Sequence, residues 1–475
     1  MLEHPIYSEM SLLKENRMRL VQTYLTSLSA LALTAALSAA PVSAETLSET
    51  LIKAYEYHPS LNIARAQLRA TDEGVAQARS GGRPRVSGRV QGSIQSADNF
   101  DGPPTDTSSF GVDGQWRIFD GGNVSAQVSS ARASVDSARA NLVTTEQGIL
   151  IDAVTSYGDV RRDTQFVALA RNNVRVISRQ LSAARDRFEV GEVTRTDVAQ
   201  ASARLASAQS NLVANQGALE RSRQAYIAAV GDAPGELAPP PPLPDLPDTL
   251  EESEVSAMRM HPSIIGAQAT VAAAEFSLDA AKAGYSPTVD LTGTVEQNAS
   301  ALDRSENVAS AGVLLEVPLY NGGALSSGVR SAIATVDQRK GELQDAARVV
   351  RQNLASAWSN FEVAAASITA SRQEIRAARI AFEGVSEEAR LGSRTTLDVL
   401  DAEQDLLDAQ SNLVSAERDQ YVAAYSLLQA MGLLTVDHLG LDVDSYDPEA
   451  NFNAVQGGPY DAKRNETINR ILGRF

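Results

Sequence analysis

Arg85-Val86-Ser87-Gly88-Arg89-Val90-Gln91-Gly92-Ser93-Ile94-Gln95 alternates, residue by residue, between a polar or charged side chain and an apolar or small one. Successive side chains of a strand point to opposite faces, so this stretch is a strand with Val86, Gly88, Val90, Gly92 and Ile94 on one face and Arg85, Arg89 and Gln91 on the other. A second run downstream sets Phe110, Val112, Gly114, Trp116 and Ile118 against Gly111, Asp113, Gln115 and Arg117. A third opposes Val289, Leu291, Gly293 and Val295 to Thr288, Asp290, Thr292 and Glu296, and a fourth carries Ala309, Ala311, Val313, Leu315 and Val317. Strands of about 10 residues with one apolar and one charged face fit a transmembrane barrel, lipid outside and water inside. The same period also fits a soluble sheet packed on one face. Four strands do not close, since the smallest membrane barrels need about 8, so the membrane alternative requires several chains in one barrel. Trp116, Phe119, Tyr285 and Tyr320 fall at strand ends, where aromatic belts lie. The polar tips, residues 96–107 and 297–307, are then the external loops.

Each hairpin leads into a long proline-free stretch. Residues 123–190 and 323–391 contain no proline and are rich in Ala, Ser, Arg, Gln and Val. Such helices reach about 100 Å at 1.5 Å per residue, longer than a compact domain accommodates. Val174, Ile177, Leu181, Ala184 and Phe188 step by three and four along the first. The next helix keeps one heptad seam through Val198, Ala201, Leu205, Ala208, Leu212 and Leu219, and its counterpart carries Val399, Ala402, Leu406, Ala409 and Leu413. The turns between the helices run from Gly191 to Thr196 and from Gly392 to Thr396, with glycine as a left-handed cap and Thr196 or Thr396 expected to cap the next helix.

These elements occur twice. His58-Pro59-Ser60 returns as His261-Pro262-Ser263, a shift of 203 residues, and Ala208-Gln209-Ser210-Asn211-Leu212 returns as Ala409-Gln410-Ser411-Asn412-Leu413 at a shift of 201. Phe119-Asp120-Gly121-Gly122 is matched by Tyr320-Asn321-Gly322-Gly323. The expected division is a signal peptide at 1–44; a first repeat at 45–237 with hairpin 84–118 and helices 123–190 and 197–231; a Pro-rich linker at 238–248; a second repeat at 249–432 with hairpin 287–319 and helices 323–391 and 397–431; and a tail at 433–475 ending in Phe475. In the leader, Arg17 and Arg19 precede an apolar small-residue run and Val42-Ser43-Ala44, so Glu45 is the expected mature N-terminus, with Met1 or Met18 as the start. No cysteine follows that site, which excludes an N-terminal lipid anchor.

Composition removes whole classes of function. There is no cysteine for disulfides, thiolate metal sites or a nucleophile. Asp and Glu number 59 against 42 Lys and Arg, which argues against a nucleic-acid partner. The four histidines are scattered, so no metal or other cofactor is expected; His58 and His261, each before a proline, fit helix N-caps better than ligands. Gly121-Gly122 lacks the sequel of a phosphate loop, and no catalytic constellation stands out.

Over nearly all of the mature chain the sequence resembles the TolC family of outer-membrane efflux proteins. The most specific stretch is Leu391-Gly392-Ser393-Arg394-Thr395-Thr396-Leu397-Asp398-Val399-Leu400-Asp401-Ala402, similar to the family's turn between its last long helices. The resemblance implies an α+β membrane protein: a homotrimer sharing a 12-stranded β-barrel, four strands per chain, continued by an α-helical periplasmic tunnel closed by an iris of helix tips. It further implies a passive exit duct working with a periplasmic adaptor and an inner-membrane transporter, set in outer-membrane lipid and passing secreted proteins or small toxic compounds. The Gly-Gly junctions and absent lipidation cysteine favour the type I secretion branch. By the same resemblance Arg394 ties the inner hairpin to its neighbour, Thr196 and Asp197 stand in its partners' places, and Asp398 and Asp401 form the acidic rings of the entrance. Gly191, Glu192, Val193, Gly392, Ser393 and Thr395 are the expected adaptor-contact tips. Asp398 and Asp401 are equally what a helix N-terminus favours. A tyrosine of the family's closing network is replaced by Ala389, which shifts closure to other contacts such as Arg390. The competing class, a periplasmic coiled-coil scaffold or adaptor, calls for one hairpin between β-rich halves and no duplicated two-faced strands.

Overall fold

The computed structural model describes residues 44–95, 105–300, 306–456 and 470. Residues 1–43 of the expected signal peptide, residues 96–104 and 301–305 of the two external loops, and Phe475 fall outside them. The first half runs α1 (Leu47–Tyr57), α2 (Pro59–Ser80), β1 (Arg85–Gln95), β2 (Thr105–Phe119), α3 (Asn123–Glu189) and α4 (Arg195–Val230). The second repeats the order as α5 (Leu250–Met260), α6 (Pro262–Ala283), β3 (Thr288–Ser300), β4 (Glu306–Glu316), α7 (Ala324–Arg390) and α8 (Thr396–Met431), with α9 (Pro448–Val455) after it.

The four strands form one antiparallel sheet in the order β1-β2-β3-β4, so β1 and β4 are open edges. Its register stacks like with like. Gly88, Val112, Val295 and Ala309 line up across the sheet on one face, and Ser87, Asp113, Thr294 and Ser310 on the other. On the polar face Arg117 makes a bidentate pair with the buried Asp290, at 3.0 and 3.2 Å, and Arg89 reaches Asp113 at 3.4 Å. The apolar face has no partner among the described residues: Val90 is 80% exposed and Val313 68%.

Four helical rods continue the sheet. α2 and α4 pack along one flank of α3, while α6 and α8 fill the space between α3 and α7. α8 and α6 meet end to end at Gly432, where a Cβ would lie 2.6 Å from the His261 Cα and the backbone has φ +80°. The short helices α1 and α5 lie across this row at mid-height, α1 on α3 and α4, α5 on α7 and α8. The main core forms there from Leu47, Leu51, Leu68, Leu150, Tyr157, Tyr226 and Leu434. α3 and α7 are both 67 residues long, yet α3 buries 19 residues and α7 only 8, so α7 sits at an end of the row and has no neighbour on its outer flank among the described residues. Among the described residues no helix is long and apolar enough to cross a membrane.

Candidate functional site at the helical tips

The two long hairpins end in turns built the same way. α3 stops because Gly191, at φ +81°, turns left-handed and lets Glu192 N–H reach back to the Arg187 carbonyl at 2.9 Å. α7 stops at Gly392, φ +80°, with Ser393 N–H on the Glu388 carbonyl at 2.9 Å. The next helices begin in capping boxes. Thr194 Oγ1 accepts from Asp197 N–H at 3.3 Å, and Asp197 Oδ2 accepts from Thr194 N–H at 2.8 Å. Thr395 and Asp398 repeat this at 3.2 and 2.9 Å. The caps are therefore Thr194 and Thr395, which corrects the expectation of Thr196 and Thr396. A capping box needs Thr three residues before its acid, a spacing that Thr194-Arg195-Thr196-Asp197 satisfies only from Thr194.

Asp398 thus spends its carboxylate on the Thr395 backbone N–H and hydroxyl, and those bonds hold it below the usual carboxylate range. Asp401 points instead to the other hairpin, where it pairs with Arg204. Leu400, buried between these two acids in sequence, packs with Ile177, Leu181, Ala184, Ala201 and Ala208. Arg394 folds back across its own turn, Nε on Glu388 Oε2 at 2.9 Å, and Arg390 pairs with Glu387. Ala389 is buried, with no polar atom to contribute to closure. Within one chain, then, the structure joins Asp401 to the first hairpin but gives Arg394 a partner in its own hairpin and Asp197 one in its own cap. All these ion pairs lie open to solvent, whose screening leaves them weak and lets them exchange partners readily. Glu388 and Arg204 are not legible as partners in the sequence because each depends on a turn or a helix crossing that no local motif encodes.

His58 and His261 cap α2 and α6, each Nδ1 accepting from the N–H two residues on at 3.2 Å, with proline as the first helical residue. Among the described residues no three His, Cys, Asp or Glu side chains are grouped to hold a metal ion.

A sheet with an unpartnered apolar face, continued by rods of about 100 Å that end in polar turns, defines a channel-type outer-membrane protein. Similarity to known proteins agrees with that class. The sequence model of the family described as outer membrane efflux protein matches residues 51–232 and 255–433, once in each half. BepC, the outer membrane efflux protein of Brucella suis, is 38% identical over 87% of this chain and 91% of its own. The outer membrane protein TolC of Vibrio cholerae is 26% identical over 82% of this chain and 92% of its own. Among solved structures, the outer membrane protein VceC of Vibrio cholerae superposes with a TM-score of 0.70 at 21% identity, over 81% of this chain and 96% of that one. The chain belongs to the outer membrane efflux protein family, the TolC family, and acts in the outer membrane as an export channel.

Proposed function

We propose that three copies of the chain close one 12-stranded barrel and one helical tunnel, and that this duct receives cargo from an inner-membrane transporter through a periplasmic adaptor. The observation carrying this reading is the pair of open sheet edges, β1 and β4, beside an exposed and largely apolar face. Unpaired N–H and C=O groups are not tolerated against lipid, so each β1 requires the β4 of another copy. The under-packed flank of α7 would then meet the α2/α4 rod of that neighbour. Relatives include the alkaline protease secretion protein AprF of Pseudomonas aeruginosa as well as the efflux protein BepC, so both secreted proteins and small toxic compounds fit the family as cargo. The Gly-Gly junctions and cysteine-free sequence favour the secretion branch. The division into signal peptide, two repeats and linker is part of the same proposal.

In this reading the tips are the gate. Arg394 exchanges Glu388 for Thr196 and Asp197 of the adjoining hairpin when the iris closes, while Asp398 and Asp401 ring the bore. Six carboxylates from three chains favour cations there. The adaptor docks on Gly191, Glu192, Val193, Gly392, Ser393 and Thr395. Because the pairs are exposed, docking needs to replace only weak bonds. Single-channel conductance in planar bilayers tests the assignment: Arg394→Ser is expected to raise it severalfold with trimer formation unchanged. An Arg394→Ser trimer conducting like the parent removes Arg394 from the gate.

A further inference from the structure

After α8 the chain does not leave the molecule. Residues 433–456 turn back over the first half, crossing α1, α2 and α3. Leu434 and Val436 are buried in the main core, and α9 lies on α2. The segment carries Asp437, Asp442, Asp444, Asp447 and Glu449 and no Lys or Arg, yet two of the groups that grip it are themselves acids. Glu146 of α3 accepts the Val436 N–H at 2.8 Å. Asp72 of α2, fully buried, accepts from Asn451 Nδ2 at 2.7 Å, and its other oxygen has no partner among the described residues. The cations present are held in fixed positions. Arg65 lies between the rings of Tyr55 and Tyr446, at 4.9 and 5.3 Å, and Arg139 lies over Phe452 while reaching Glu449 at 3.6 Å. Arg79 of α2 holds the end of the segment through the Gln456 carbonyl.

We propose that residues 433–456 form a proton-linked strap, seated on the mid-height core when Glu146 and Asp72 are neutral and loosened when they ionise. Asp72 is fully buried and Glu146 half-buried, and desolvation outweighs the bonds from Val436 N–H and Asn451, which favour the charged forms: it pushes Glu146 up to about 7 and raises Asp72 as well. Charges facing Glu146 are Asp437 of the strap, which opposes its ionisation, and Arg65 of α2, which favours it. Asp72 is faced by Glu73, which opposes ionisation, and by Arg139 and Arg69, which favour it. The seated strap therefore binds more protons than the released one across the interval between the ordinary carboxylate range and about pH 7. Seating weakens as pH rises through that interval, by up to about tenfold per unit for each acid involved.

Hydrogen exchange of the full-length protein in detergent, read by mass spectrometry of peptides spanning 433–456 and corrected for intrinsic rates, tests this between pH 5 and 8. The expected result is an opening equilibrium that grows with pH and levels off above about 7, with α4 peptides unchanged. Glu146→Gln keeps an acceptor for Val436 N–H but does not titrate, so it should flatten the dependence near pH 7; Asp72→Asn should likewise flatten the share that Asp72 contributes. Flattening in either variant upholds the strap. Protection independent of pH in the parent, or a dependence that survives in both variants, overturns it.

Discussion

Gly121 and Gly122 are adjacent and both left-handed, at φ +65° and +89°, but they are glycines for different reasons. A Cβ on Gly122 would meet open space, so alanine there suffers only the left-handed penalty of about 1–2 kcal/mol. A Cβ on Gly121 would lie 2.1 Å from the Cβ of Ser286, inside the base of the neighbouring hairpin. Asp120 fixes this corner by accepting from Gly122 N–H at 2.9 Å and Val124 N–H at 2.6 Å, so the backbone has no freedom to move aside. Gly121→Ala should therefore lose more than about 4 kcal/mol and Gly122→Ala well under half of that, read from thermal unfolding in detergent. Equal losses would mean that the corner yields. The sequence shows the Gly-Gly pair twice and so marks a junction. It does not show which glycine is crowded, because Ser286 is brought there by a fold running through 164 intervening residues of helix, linker and turn.

Among the elements, the helix starts separate what local sequence encodes from what it does not. His261-Pro262-Ser263 is a self-contained cap and is legible as one, as are the proline-free rods and the alternating strands, all of which depend on spacings of two to seven residues. The tip caps fall two positions before Thr196 and one before Thr396, since several threonines compete and only the acid three residues on decides. The strap is unreadable because its partners, among them Tyr55, Asp72 and Glu146, lie 290 to 391 residues away. The cap at His261 carries a prediction of its own. Burial lowers its pKa, and its Nδ1 must stay unprotonated to accept from Ser263 N–H. A base favoured neutral in the folded state contributes stability that is complete above about pH 6.5 and is lost as pH falls below it. His261→Asn keeps a capping acceptor without the titration, so the difference in melting temperature between parent and variant should shift in favour of the variant between pH 7 and 5. The desolvated acids Glu146 and Asp72 work in the opposite direction but are common to both proteins and cancel in that difference. A difference constant with pH would show that the cap survives protonation.

At the scale of the whole molecule, the halves share an element order but not an environment. α3 is enclosed by α1, α2, α4, α6 and α8 of its own chain, whereas Ile333, Val363 and Ile380 of α7 remain exposed, with fractions of 44, 65 and 71%. A duplicated unit that buries one copy of its long helix and exposes the other leaves a flank that the proposed trimer would cover, and the same assembly would pair the edges β1 and β4. Four strands are too few to close a barrel on themselves, so the proposed trimer predicts that β1 of one copy pairs with β4 of another. The cysteine-free sequence makes this directly testable. One cysteine at Gln91 in β1, combined in turn with one at each of residues 308 to 314 in β4, places every thiol pair at a known position on the two edges. Strands 4.7–4.9 Å apart bring correctly registered Cβ atoms within disulfide range, and only a few positions of the scan should oxidise. Where they do, three intermolecular links per assembly convert the denatured monomer into a ladder ending at the trimer on non-reducing gels. A ladder ending at the dimer, or linked species with no preference along the scan, would mean that the edges do not meet in a closed barrel of three chains.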